Sequence, residues 1–337
     1  MFDAAAPFVP SGAVPAGERR ALEEGCVVFP RTQVRRFRLT GPARVACLHG
    51  LVTCDVERAG DGAHLFGALL TDKGMIVTPL WITRLPGEIL VEAPAAGAVH
   101  LEETFTRALP PRLCRAADIT AETAGIGVYG PRAADVLGRA WGLASGPPAA
   151  GAAAMTAAGA AIVVAPCVAR GAPGFDCVVP SDRAAALLGA LTTHGAAFAS
   201  PALVEECRIL AGIPRLGAEI DDKTLPQEAR LEELGAVSFT KGCYLGQETV
   251  ARLHFRGHAN RGLASVVLQR APAAPLPLAL SLDGKPVGRL ASAAWSDELD
   301  GYVGVAVLRR EVDDGADVEL PDGGRATVRR GKWLRPA

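Results

Sequence analysis

The segment Lys241-Gly-Cys-Tyr-Leu-Gly-Gln-Glu248 is the most informative stretch of this chain for both fold and function. Two glycines bracket a cysteine and a tyrosine, and glycine is used where the backbone turns through positive φ or passes close to a ligand. The segment is therefore predicted to be a tight loop that presents a thiol, a phenol, an amide and an ammonium group. Because a nearby cation favours the thiolate, Lys241 makes Cys243 a candidate reactive thiol. The alternative is a thiol that only packs as a small hydrophobe.

A basic strip follows this loop. Between residues 241 and 261 one anion, Glu248, stands against four cations: Lys241, Arg252, Arg256 and Arg261. Such a strip suits an anionic ligand such as a polycarboxylate tail or a phosphate backbone. It predicts a weak RNA contact through the three arginines; the alternative is a solvated face with ordinary ion pairs.

Two other groups of residues in this region resemble sites. His254 and His258 are four residues apart, which suits a metal on a helix, but Gly257 weakens a helix there and no third ligand is near. We therefore predict loop histidines and no metal site. Upstream, Glu205 and Glu206 end a predicted helix, where a carboxylate could accept hydrogen bonds from an amino-pyrimidine edge. The alternative is a helix face with an i,i+3 ion pair.

Length and composition indicate a globular protein of two or three domains. The chain has 337 residues, 49% hydrophobic and 21% charged, with a net charge of −1. No apolar run approaches the length of a membrane span, and the N-terminus does not read as a signal peptide. We therefore expect a cytoplasmic protein without a membrane partner.

The cysteine pattern argues against a disulfide framework and against a four-cysteine metal site. The chain is large and has no Cys-x-x-Cys pair among its eight cysteines. Most of them, such as Cys167 and Cys177, are predicted to fill cores. The eight are Cys26, Cys47, Cys54, Cys114, Cys167, Cys177, Cys207 and Cys243.

Organisation along the chain predicts an α+β protein. Residues 1–25 read as a loose segment, and residues 26–261 as two related α+β lobes that include the loop at 241–248. The alanine-, glycine- and proline-rich residues 144–161 are predicted to be a loop, and residues 182–194 a helix capped by Ser181 or Asp182. Residues 262–337 alternate short strands with Gly/Asp turns, which is typical of a small barrel or sandwich. No Gly-x-Gly-x-x-Gly after a strand, P-loop or Gly-x-Ser-x-Gly motif is present, which disfavours several cofactor and hydrolase classes.

The octapeptide resembles the signature of the YgfZ proteins, which are related to the glycine cleavage T-protein, a folate-dependent aminomethyltransferase. Four further stretches resemble the same family: residues 48–56, 67–74, 208–217 and 225–229. The resemblance implies two α+β lobes around a central opening that binds a tetrahydrofolate or a folate derivative, followed by a C-terminal β-barrel. It also implies a role in making or maintaining iron–sulfur enzymes, including a tRNA-modifying one, with the assembly machinery or client enzymes as partners.

The same resemblance assigns site residues. Cys243 is expected to be the key thiol at the folate opening. The other expected site residues, four shaping the loop and two contacting the pterin, are Lys241, Tyr244, Gln247, Glu248, Glu206 and Arg208.

One departure from the family pattern bears on activity. T-proteins place an aspartate in the strand after the first glycine hairpin, and here Thr78-Pro79 stands at that place. Neither side chain polarises or deprotonates an amine as a carboxylate does. We therefore expect a folate-binding accessory protein for iron–sulfur enzymes rather than an aminomethyltransferase. The alternative is a folate-dependent one-carbon transferase.

Overall fold

The computed structural model of the protein describes residues 14–166, 172–331 and Trp333. These residues form an antiparallel five-stranded sheet, a mixed six-stranded sheet and a closed barrel. The predicted core position of Cys167 lies outside the described residues. Within the described part of the chain, every helix is too short or too polar to cross a membrane.

The first lobe is a five-stranded sheet in the order β3-β4-β5-β2-β6. A hairpin joins β3 to β4, and its turn closes at Gly74, which has φ +83° and whose N–H donates to Thr71 O at 3.0 Å. Apolar side chains such as Phe37 and Leu80 bury one face against the helices of this lobe. The elements are β2 (Val34–Thr40), β3 (His64–Leu70), β4 (Ile76–Leu85), β5 (Glu88–Pro94), β6 (Arg115–Asp118), α2 (Arg44–His49), α3 (Val56–Ala59) and α4 (Ala95–Ala108).

The second lobe is a six-stranded sheet in the order β11-β1-β7-β10-β9-β8. Strand β1 joins this sheet although the next strand in sequence, β2, belongs to the first lobe. Val28 and Ile126 lie in its core, with helices α5 and α6 packed over them. The elements are β1 (Val27–Pro30), β7 (Thr123–Tyr129), β8 (Ala153–Ala157), β9 (Ala160–Pro166), β10 (Gly174–Pro180), β11 (Ala197–Phe198), α5 (Ala133–Trp141) and α6 (Ala184–Thr193).

Three local predictions in these lobes are wrong. Residues 144–161 are not all loop, because β8 pairs with β9 along the edge of the second sheet, where an alanine-rich strand needs little side-chain packing. The helix predicted at residues 182–194 is present as α6, but the predicted cap is wrong: residues 181–183 form one 3-10 turn, and α6 begins at Ala184 without a side-chain cap. The segment predicted to be loose contains helix α1 (Ala16–Glu24), which buries Leu22 against Tyr129 and Leu203.

The C-terminal region is a closed six-stranded barrel, as predicted, in the order β12-β15-β14-β13-β16-β17. Closure removes the unpaired edges that short antiparallel strands would otherwise expose. Val266, Leu290 and Val328 are among the fully buried residues of its interior. The strands are β12 (Arg261–Leu268), β13 (Leu278–Leu282), β14 (Lys285–Ser296), β15 (Gly301–Arg309), β16 (Asp317–Glu319) and β17 (Arg325–Arg329).

Two helices and a long turn-rich segment join the lobes to the barrel. Helix α7 (Pro201–Leu210) begins with Ser200, whose hydroxyl accepts from Leu203 N at 3.3 Å, and with proline at its first position. Its buried face packs against β14 and β15 of the barrel. Residues 211–246 then cross back over the first lobe, and helix α8 (Gln247–Arg256) leads into β12.

Candidate functional site

A cavity of about 820 Å³ lies where the two lobes, helix α7 and the barrel meet. This volume is within the range of protein sites for small organic ligands, roughly 300–1,000 Å³. Much of its wall is apolar, and it includes the rings of Phe29 and Tyr129, which stack with centroids 5.3 Å apart. The polar or charged side chains among the described lining residues include Gln33, Glu205, Arg208, Arg215, Asp221, Asp222 and Arg289.

Arg208 organises the polar part of this wall. Its guanidinium donates to both oxygens of Glu205, at 2.9 and 2.7 Å, and to Glu219 at 3.1 Å. A fourth contact, 2.7 Å to Ser292 Oγ, joins α7 to barrel strand β14. The planar, five-donor guanidinium suits several acceptors in fixed directions. Arg208 therefore holds α7, the turn after it and the barrel in one arrangement around the cavity.

The Glu205 carboxylate is held ionised. Burial alone would raise its pKa, but the nearby guanidinium groups of Arg208 and Arg215 outweigh burial and lower that pKa below its ordinary value. Arg215 Nη2 lies 3.3 Å from Glu205 Oε1. An ionised carboxylate with both oxygens oriented can still accept hydrogen bonds from a ligand, since its two oxygens offer about four lone-pair directions.

The expectation for Glu206 needs correction. The lining residues of α7 are Leu203, Val204, Glu205, Cys207 and Arg208, and Glu206 is not among them. Glu205 lies on the cavity wall, whereas Glu206 points the other way and pairs with Arg19 of α1. Arg19 also contacts Asp297 of the barrel at 3.3 Å. Glu206 thus links α7 to α1, and of the three residues Glu205 and Arg208 lie on the cavity wall.

Lys241 anchors the signature loop. It is 8% exposed, and its Nζ donates to the carbonyl oxygens of His49, Val52 and Cys54 at 2.6, 2.7 and 2.9 Å. All three ammonium donors are therefore used by the turn after α2. Burial lowers the pKa of Lys241 to about 8, against the opposing charges of nearby acids. Its ammonium binds main-chain carbonyls, so its role is to hold the loop in place.

Tyr244 and Gln247 shape the rest of the loop. Gln247 Oε1 accepts from Tyr244 N at 3.3 Å, and Gly246, at φ +79°, starts α8 in the left-handed region. Tyr244 packs in a buried cluster with Ile76 and Trp81, and burial raises its pKa to about 12. Its hydroxyl has no hydrogen-bond partner among the described residues. Because Ile76 and Trp81 also line the cavity, Tyr244 connects the loop to the cavity wall through direct packing.

Cys243 and Glu248 are exposed on this loop. The thiol is thus accessible, but residues 241–248 are not among the described residues that line the cavity. The structure therefore separates two features that the sequence placed together. Ile76 and Trp81 of the cluster around Tyr244 are part of the cavity wall, whereas the thiol of Cys243 lies at the surface.

The wall at the Thr78-Pro79 position carries no acid. Val77 and Pro79 line the cavity, while Thr78 is fully buried and its hydroxyl donates to Pro79 O at 2.9 Å. The carboxylates among the described lining residues come from α7 and from the turn-rich segment after it: Glu205, Asp221 and Asp222.

The basic strip is only partly available. Arg261 is paired with Glu228, at 3.0 Å, while Arg252 and Arg256 are exposed and form no ion pair with a described residue. The prediction of loop histidines is wrong for His254, which lies on α8, stacks on Phe239 at 3.7 Å and contacts Glu232. Within residues 14–166 and 172–331, no group of three His, Cys, Asp or Glu side chains could hold a metal ion.

Sequence reasoning did not identify two cavity arginines. Arg215 follows the turn after α7, and Arg289 of β14 contacts Asp221 at 3.1 Å. Arg215 lies within residues 208–217, which the family resemblance had already singled out. Nothing local marks Arg289, because only the packing of the barrel against α7 brings it to the cavity.

Comparison with known proteins agrees with this geometry. The model of the GCVT N-terminal domain matches residues 6–241. An aminomethyltransferase from Synechococcus sp. (strain RCC307) is 27% identical, covering 88% of this chain and 82% of its own. The tRNA-modifying protein YgfZ of Vibrio vulnificus (strain CMCP6) is 29% identical (77% and 75%), and that of Klebsiella pneumoniae (strain 342) is 29% identical (80% and 81%).

A solved structure shows the same fold. The glycine cleavage system aminomethyltransferase T from Bartonella henselae matches with a TM-score of 0.82 over 99% of this chain and 96% of that chain, at 19% identity. The predicted arrangement of two α+β lobes and a C-terminal barrel is thereby confirmed. The chain belongs to the GCVT N-terminal domain family and, within it, to the YgfZ proteins related to the T-protein.

Proposed function

We propose that this protein is a cytoplasmic folate-binding accessory factor that assists the assembly or repair of iron–sulfur enzymes, including enzymes of tRNA modification. The observation that carries the proposal is the 820 Å³ cavity with the Glu205–Arg208 pair on its wall. The relatives named as tRNA-modifying proteins and aminomethyltransferases support it.

The residues of the cavity fit a reduced folate. An amino-pyrimidine edge donates N–H groups, and the ionised Glu205 carboxylate accepts them. The flat pteridine suits the apolar wall beside Trp81, and a glutamate carboxylate suits Arg289, a lining arginine that is not paired with Glu205. A bound folate would supply a carrier for one-carbon units or a reduced pterin.

Folate binding is tested by thermal stabilisation against a panel of folates. A ligand at 100 times its Kd stabilises by about 2.7 kcal/mol, which for a chain of 337 residues corresponds to a rise in melting temperature of roughly 4 °C. Ala96→Phe adds bulk at an exposed position on the cavity wall and should abolish the rise. Val99→Phe, on the same helix but outside the wall, should leave the rise intact. No stabilisation of the wild type by any reduced folate refutes this part of the proposal.

Cys243 is proposed as the working thiol. In cells lacking the wild-type protein, Cys243→Ala should fail to restore iron–sulfur enzyme activity, while its melting temperature and folate binding stay unchanged. Thr240→Ala, at an exposed position in the same segment, is the matched control. Full complementation by Cys243→Ala would remove the thiol from the proposal.

The alternative function is folate-dependent one-carbon transfer. The relative named as an aminomethyltransferase favours it, and the absence of a carboxylate at Thr78 and Pro79 disfavours it. Single-turnover assays with labelled aminomethyl and methyl donors separate the two functions. Transfer to bound folate establishes the transferase, and tight folate binding without transfer supports the accessory role.

The surface around α8 is proposed to contact RNA or an acidic partner enzyme. Arg252 and Arg256 flank Phe255, which is 68% exposed, so cations lie beside an aromatic ring available for stacking. Arg261, predicted for this role, is already ion-paired. Arg252→Ala with Arg256→Ala should weaken RNA binding and flatten its salt dependence, whereas Arg310→Ala in the barrel should not. RNA binding that is absent or insensitive to salt removes the RNA contact.

A further inference from the structure

Two thiols of the first lobe lie against each other although they are far apart in sequence. Cys47 is on α2, and Cys114 immediately precedes β6. Cys114 is 1% exposed and belongs to the core cluster of the first lobe, and Cys47 packs against that cluster while remaining partly exposed. The Cys47 thiol is close enough to interact directly with that of Cys114.

The backbone explains this proximity. Ala43 N donates to Leu113 O at 3.0 Å, and a side chain at Gly41 would lie 3.1 Å from the Cα of Cys114. Cys47 follows Ala43 by four residues, and its N–H donates to Ala43 O at 2.9 Å. Residues four apart share a helix face, so Cys47 faces Cys114.

We propose that Cys47 and Cys114 form a reversible disulfide that fastens α2 to β6 when the surrounding thiol pool is oxidised. Forming the bond brings the two sulfur atoms to about 2.05 Å from each other, which draws α2 towards β6. No other function of the protein is assumed.

The chemistry balances with a small disulfide as oxidant, for example oxidised glutathione. The more exposed Cys47 thiolate attacks one sulfur of the small disulfide; its S–S bond breaks and one small thiolate leaves. The Cys114 thiolate then attacks Cys47 Sγ, the protein disulfide forms and the second small thiolate leaves. Two protein thiols lose two electrons, and their two protons end on the two small thiols. Burial raises the pKa of Cys114 to about 11, so its thiolate is scarce and the second step is slower.

Helix α2 connects this disulfide to the signature loop through hydrogen bonds at its C-terminal end. His49 O and Gly50 O, at the end of α2, accept from Lys241 Nζ at 2.6 Å and from Leu245 N at 3.2 Å. Movement of α2 therefore acts on both anchors of the loop that carries Cys243.

The test uses the full chain in a Cys243→Ser background, so that the exposed thiol cannot take up the oxidant. After treatment with oxidised glutathione, we expect mass spectrometry to find a Cys47–Cys114 cross-link that dithiothreitol removes. Hydrogen exchange at residues 242–246 should differ at least twofold between the oxidised and reduced forms. Adding Cys47→Ser, at a partly exposed site that tolerates the change, should remove both effects.

Two results would overturn the inference. If Cys47 remains a free thiol after the treatment, or forms a mixed disulfide with glutathione only, the Cys47–Cys114 disulfide is excluded. A cross-linked protein whose loop exchanges at the same rate as the reduced form excludes the coupling to the signature loop.

Discussion

Replacing Lys241 by methionine tests whether this side chain anchors the signature loop. Methionine has nearly the same length but no donors, so the carbonyls of His49, Val52 and Cys54 lose a shared partner. Each buried acceptor left without a donor costs about 1–3 kcal/mol, whereas removing a buried charge relieves several kcal/mol of desolvation. The net loss of folding free energy is about 2–5 kcal/mol, equivalent to roughly 3–7 °C in melting temperature for a chain of 337 residues.

The assay for this variant combines calorimetry with hydrogen exchange. The amides of residues 242–246 should exchange faster in Lys241→Met even if part of the energy is lost in local opening rather than global unfolding. Lys285→Met makes the same change at an exposed barrel position and should stay within about 0.5 kcal/mol of the wild type. If Lys241→Met matches the wild type in both measurements, the anchoring role of the ammonium is refuted.

Three further predictions concern the residues around the cavity. The folded-state pKa of Glu205 is lowered, so its stabilisation is complete above the ordinary value of 4.5 and is lost as pH falls through the folded-state pKa. In denaturant titrations at a series of pH values, Glu205→Gln should therefore lose less unfolding free energy than the wild type as the pH falls. An unchanged pH profile would contradict the ion pair. Lysine at position 208 cannot make the forked contacts of the arginine, so Arg208→Lys should lower the free energy of unfolding in urea by about 2–4 kcal/mol. A loss under about 1 kcal/mol would contradict this role of Arg208. Gly212→Ala and Gly217→Ala both strain a positive φ, but only Gly212 would also place its Cβ 1.9 Å from the Trp333 ring. Gly212→Ala should therefore lose at least about 2 kcal/mol more by calorimetry, and equal losses would mean that Trp333 moves aside freely.

Part of the fold could be predicted from local sequence patterns. The Gly74 hairpin and helix α7 each follow from a short stretch in which turn residues, caps and apolar spacing agree. The barrel strands alternate with Gly/Asp turns in the same way. Strand β8 and helix α1 could not be predicted in this way. Strand β8 is stabilised by its pairing with β9, and α1 is stabilised by its packing against the second lobe.

Individual site residues could be predicted from the sequence, but their arrangement could not. The residue types of Lys241 and Cys243 identified them as candidates, and the family resemblance added Arg208. Spacing could not show that the Lys241 ammonium bonds to carbonyls of the first lobe. The choice between Glu205 and Glu206 depends on the rotation of α7 against the barrel, which no local pattern encodes. The separation of Cys243 from the cavity likewise arises from the long path of residues 211–246 over the first lobe.

Strand β1 belongs to the second sheet although it precedes the first sheet in sequence, and this affects the order in which the protein can fold during synthesis. All five strands of the first sheet are complete once β6 has emerged from the ribosome, yet β1 precedes them and its partners β7 and β11 are translated later. Pairing so remote in sequence is slow to form. The nascent chain therefore carries an unpaired strand at its leading end while the first lobe closes, and a chaperone that shields such a strand would act at this stage.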